Sequence, residues 1–171
     1  MKENKALSSF VMLGICCFAG MISGCTTKPP SYSDVSNRIP ALQQGYARVY
    51  VYCAQGSDGA HENCFKISID DRRVESIYNG TIRSYNCLYV DHAAGKCKVT
   101  AQRMNGLPFL EQSKDLTLNL EQGETRYVQA EMNYATIPVK VRLIISDPDQ
   151  AAPDLNKCFY VGLDIPGVPK Q

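Results

Sequence analysis

Three kinds of side chain in this sequence could do chemistry: two histidines, a set of cysteines and a few paired carboxylates. His61 and His92 are the only histidines and lie about 30 residues apart, in His61-Glu62 and Asp91-His92. A metal centre needs His, Cys, Asp or Glu converging at ligand spacing. These two pairs fall in separate loops and read as solvated turn residues, so no metal or other cofactor is expected. A Ser-His-Asp or Cys-His triad is assembled in space, but no G-x-S-x-G elbow marks a nucleophile. No catalytic residue is therefore assigned. Asp70-Asp71 and Asp147-Pro148-Asp149 lack the spacing of a calcium loop and read as turns. Asn79-Gly80-Thr81 has the form of a glycosylation sequon, but Asn-Gly between apolar runs is first a hairpin signal.

The sharpest chemical assignment lies near the N-terminus. Lys2 and Lys5 precede an apolar run over residues 10–20, which closes on Met21, Ile22, Ser23, Gly24 and Cys25. A charged start, a short apolar stretch and small residues before a cut describe a signal peptide better than a membrane span. The last five residues resemble the lipobox of bacterial lipoproteins. The resemblance implies cleavage between Gly24 and Cys25, and acyl chains on the Cys25 sulfur. Thr26 resembles the outer-membrane default at that position. The expected location is the bacterial cell envelope, lipid-anchored at the outer membrane.

Cysteine use follows. Cys16 and Cys17 leave with residues 1–24 and Cys25 carries lipid, so Cys53, Cys64, Cys87, Cys97 and Cys158 remain. In an oxidising compartment these read first as disulfides. Cys53 and Cys64 flank a ten-residue loop, although strict alternation points Cys53 inward and Cys64 outward. Cys87 and Cys97 lie on consecutive strands across the turn near Gly95. That leaves Cys158 over, unless it pairs with Cys53 or Cys64 and pins the tail. A reactive Cys158 thiol would want a neighbouring positive charge or a CxxC partner; Lys157 is adjacent, but no CxxC exists.

Composition sets the partner classes. Of 18 basic and 17 acidic residues, Lys2, Lys5 and Glu3 leave with the first 24, so 16 of each remain. No basic stripe is present, which argues against nucleic acid and against electrostatic docking on anionic lipid. Membrane contact then rests on the lipid.

These residues must be positioned by short strands. Residues 26–44 hold three prolines and several serines and read as a mobile tether; fully extended, it would reach roughly 60 Å. From residue 45 the pattern has period two. Ala47, Val49, Val51 and Cys53 share one face of the first strand, and Tyr46, Arg48, Tyr50 and Tyr52 the other. This second face is either an aromatic contact surface or ordinary sheet surface covered by the tail. Further strands are predicted over 64–70, 74–78, 82–90, 96–102, 114–120, 125–133 and 139–145, with a turn at residues 92–95. No amphipathic helix is convincing. Residues 147–171 carry four prolines and read as a tail, with an edge strand over 158–163. Seven to eight short strands in residues 45–146 mean an all-β antiparallel sandwich.

The segments GYARVYVY, FKISIDDRRV, NGT, YVDHAAGKCKVTA and LNLEQGETRYV, in that order, resemble bacterial lipoproteins with a DUF2846 domain. The resemblance covers about 100 residues and implies a sandwich of PEGA-like or carboxypeptidase-regulatory-like type. It implies no enzymatic activity and carries over no site residues. The chain departs from the pattern in its cysteines, in His92-Ala93-Ala94 and in the loop 54–63. The resulting expectation is a lipid-anchored, non-catalytic module for an envelope protein or glycan. The alternatives are a hydrolase or thiol enzyme built on loops 54–63 and 91–95, and a structural subunit of a larger envelope assembly.

Overall fold

The computed structural model describes residues 28–54, 64–74, 81–83, 85–104, 112–136, 140–162 and 165. The expected signal segment, Cys25, His61 and the predicted Asn79-Gly80 turn lie outside them.

Among the described residues, ten strands form two five-stranded sheets: β1 (Tyr46–Cys53), β2 (Cys64–Ile69), β3 (Arg72–Arg73), β4 (Thr81–Arg83), β5 (Asn86–Ala93), β6 (Gly95–Arg103), β7 (Ser113–Leu120), β8 (Thr125–Asn133), β9 (Lys140–Ser146) and β10 (Phe159–Tyr160). The first sheet runs β10-β5-β1-β8-β9 and the second β3-β2-β6-β7, with β4 also paired to β2. The chain is thus an all-β sandwich, as the period-two pattern requires. It is not wholly antiparallel, because β1 pairs with β8 and β5 with β10 in parallel.

The core lies between the sheets. Val49 and Val51 of β1, Leu88 of β5 and Val128 and Ala130 of β8 face Phe65 and Ile67 of β2, Val99 of β6 and Leu118 of β7. The Tyr50, Tyr52 face of β1 is buried as well, so β1 is closed on both sides. Parallel neighbours are usual for a strand covered on both faces.

What covers that second face differs from expectation. Residues of the proposed tether form α1 (Tyr32–Val35) and a 3-10 turn (Ser36–Arg38), with Ser31 capping Asp34 N–H. Val35 is buried. The tail forms α2 (Pro148–Leu155), which sequence reading missed because two of its eight residues are proline. Pro148 stands at the helix start, where a missing N–H costs nothing. Ala151 and Leu155 pack with Val35, Cys158 and Tyr160 over Tyr50, Tyr52, Cys87 and Tyr89. The molecule has three layers rather than two.

The expected edge strand is present as β10, and its outer edge is not open. Ser31 bridges Phe159, Tyr32 N–H donates to Cys158 O at 2.8 Å, and Tyr160 N–H donates to Pro30 O at 2.8 Å.

Candidate functional site

The tyrosine face is not a contact surface. Arg48, Tyr50 and Tyr52 are buried, and only Tyr46 is exposed. Tyr50 stacks on Tyr127 at 5.3 Å and meets Tyr32 edge-on at 5.8 Å. Arg48 Nε and Nη2 reach the two Asp91 carboxylate oxygens at 2.6 and 2.8 Å. Nη2 also donates to Pro40 O at 2.8 Å, and the guanidinium lies 4.6 Å from the Tyr89 ring centre. Asp91 raises the Arg48 pKa further against the opposing effect of burial. This fork fastens the N-terminal segment to the sheet.

The cysteines also sit differently. All five described cysteines are buried, and no disulfide joins them. Cys97 faces the core between the sheets, while Cys87 faces the outer layer on the far side of β5. Strand parity sets this: Leu88, Val90 and His92 point inward, so Cys87, Tyr89 and Asp91 point outward. A Cys87–Cys97 bridge would have to cross the sheet. The Cys87 thiol instead lies within hydrogen-bonding reach of Cys158, and burial holds it strongly protonated. The register explains the meeting: Tyr160 pairs with Cys87, and Val161 N–H donates to Cys87 O at 2.8 Å. Cys158 thus has Cys87 as its neighbouring thiol. Cys53 and Cys64 are both buried, and their expected bridge is not formed.

One end of the sandwich gathers chemistry that the sequence separated. Strand β2 stops at Asp70 and Asp71, whose φ angles of 48° and 63° make a tight left-handed turn. Aspartate tolerates this region better than most residues. Asp70 exchanges two bonds with β6: its N–H donates to Lys98 O at 2.9 Å, and Lys98 N–H donates to Asp70 Oδ1 at 2.8 Å. His92 is not in a turn, because β5 continues to Ala93 and the reversal falls at Ala94 and Gly95. Gly95 takes φ 128°, closed to other residues, and lets β5 pass from one sheet into β6 of the other. His92 Nε2 lies 2.7 Å from Asp70 Oδ2, and Nδ1 lies 2.6 Å from Ala93 O. Cys97 Sγ completes the group, the three ligand atoms lying within 4.8 Å of one another.

A cleft of about 580 Å³ opens beside Asp70 and His92, walled by Ile69, Val74 and Val90 and edged by Arg72 and Arg73. The Asp70 carboxyl is held below the usual range, first by the Lys98 N–H and then by His92. Burial, with a smaller contribution from Asp70, pushes the Cys97 thiol up to about 11. The trio is not a cysteine–histidine nucleophile. Its thiol is held protonated inside the core, and His92 Nε2 is turned to Asp70 Oδ2 rather than poised on the thiol.

A larger groove of about 930 Å³ lies at the opposite side, where edge strands β7 and β9 meet. Lys114, Lys140 and Arg142 line it together with Val141, Leu143 and Ile144. Among the described residues, Gln112 Oε1 is the one buried side-chain polar atom without a hydrogen-bond partner, and Gln112 also lines this groove. Period-two reading found strands 114–120 and 139–145, but it could not show that both would be edges.

No protein-family model matches the chain, and no curated protein is significantly similar to it.

Proposed function

We propose that this chain is a lipid-anchored envelope module that binds a protein partner along the seam between β7 and β9. The groove carries the reading: two sheet edges meet there, with three basic side chains around an apolar floor. An edge strand offers unpaired backbone N–H and C=O groups to an extended segment. Lys114, Lys140 and Arg142 select an acidic one, although Arg142 is shared with Glu131 at 3.4 Å.

The layout supports the anchor. Lys28 already lies over the Phe159 ring at 4.2 Å. Two residues, Thr26 and Thr27, separate it from Cys25, so the three Cα–Cα steps of leash reach at most about 11 Å, not the roughly 60 Å of an extended 26–44 segment. Acylated Cys25 would hold the β10 edge close to lipid. Strand β9 is four strand spacings away, about 19 Å, leaving the seam clear of the membrane.

An oxidising compartment gives Cys87 and Cys158 a further role as a disulfide. Attack of one thiolate on a small-molecule or protein disulfide, then of the second on the mixed disulfide, forms the bond and releases two reduced thiols. Both sulfurs are buried once β10 docks, so exchange belongs to folding.

The test has two arms. Cys25→Ala should move the protein from the membrane to the soluble fraction with partner capture intact. Lys140→Glu with Arg142→Glu should leave it membrane-bound and abolish capture. Retention of Cys25→Ala at the membrane would refute the anchor, and undiminished capture by the charge-reversed variant would refute the seam.

A further inference from the structure

We propose that Asp70 Oδ2, His92 Nε2 and Cys97 Sγ form a binding site for a divalent transition-metal ion of the zinc class. The donors are one oxygen, one nitrogen and one sulfur, drawn from the end of β2, from β5 and from β6, and all within 4.8 Å. Nitrogen and thiolate donors select zinc and its neighbours over calcium or magnesium. The thiolate and carboxylate together neutralise a doubly charged ion, and coordination sends the Cys97 proton to solvent.

The surrounding bonds prepare the ligands. Lys98 N–H occupies Asp70 Oδ1 at 2.8 Å and leaves Oδ2 available. Ala93 O lies 2.6 Å from His92 Nδ1, so that nitrogen carries the hydrogen and Nε2 offers its lone pair. A backbone carbonyl on the second ring nitrogen is the usual support of a metal-bound histidine. A neutral His92 in this tautomer would set its Nε2 lone pair against carboxylate oxygen at 2.7 Å. A metal ion bound to both atoms would relieve that opposition.

Bond lengths define the adjustment. Tetrahedral zinc bonded to nitrogen and oxygen at about 2.1 Å separates them by about 3.4 Å. Asp70 therefore moves outward by roughly 0.7 Å relative to the present contact. Its side chain is 46% exposed and borders the cleft, so it has room. The cleft admits water or a partner's donor to the fourth position. Arg72 and Arg73 disfavour a loosely held hard cation there, so binding rests on the inner nitrogen and sulfur.

The test uses the full, untagged chain in detergent, reduced and stripped of metal by chelator. Titration with cobalt(II), then displacement by zinc, should show one equivalent bound, with a thiolate-to-cobalt charge-transfer band and tetrahedral visible bands. His92→Gln and Asp70→Asn, both at the rim, should each weaken binding on the order of tenfold or more. Cys97→Ser should remove the charge-transfer band, and Cys87→Ser with Cys158→Ser should leave it unchanged. Absence of the band in the wild-type chain would overturn the site. So would a folded His92→Gln chain binding cobalt with undiminished affinity.

Discussion

At the residue scale, the Arg48–Asp91 fork shows how one buried charge organises the termini. Arg48 is 8% exposed and holds Asp91 and Pro40 at once. Arg48→Ala leaves Asp91 without its partner in a largely covered layer, and should cost about 3 kcal/mol, read by urea unfolding. Arg48→Lys should recover only part, because an ammonium cannot make the fork or stack on Tyr89. Equal stability of wild type and Arg48→Ala would remove the fork from the account. The cysteines make a second prediction. Peptide mapping without reduction should recover a Cys87–Cys158 link from chain exported to an oxidising compartment. A chain-entropy argument gives such a loop about 4 kcal/mol. A Cys87–Cys97 link would contradict the observed register.

At the element scale, the strands were legible and their coverings were not. Alternating residues such as Val49, Val51 and Cys53 mark a strand locally, and β1 and β8 fall where the pattern places them. Helix α2 was hidden because Pro148 and Pro153 suppress helical propensity, while only Ala151 and Leu155 carry its buried face. The N-terminal segment was misread for a related reason. Its order comes from partners more than a hundred residues away, such as Cys158 and Tyr160, not from local pattern. Asp70 and Asp71 do form the turn that their sequence predicts. His92 does not, because β5 runs on to Ala93, and nothing local shows that β2 ends opposite β5. Val35→Asp should test the docked layer by burying a charge among Tyr50, Leu155 and Tyr160. Residues 28–44 should become sensitive to protease while the strands of the sandwich stay protected. Unchanged resistance would mean that the segment holds without Val35.

At the scale of the whole molecule, the three layers divide the labour. Lys28 lies against Phe159 on the β10 edge, the Asp70–His92–Cys97 group at one end, and the basic seam on the opposite edge. Under the proposed anchor, the 28–44 segment would shorten the leash and set which side faces lipid, a role that a mobile tether could not fill. The central claim is that the β7–β9 seam meets a protein partner while the β10 edge is held at the membrane. Its most direct test is site-specific photo-crosslinking in intact envelopes, with the probe at Ile144, which lines the groove on β9. A discrete protein adduct at Ile144, lost when Lys140→Glu and Arg142→Glu are combined, is the predicted result. No adduct at Ile144, or one indifferent to that charge reversal, would contradict it.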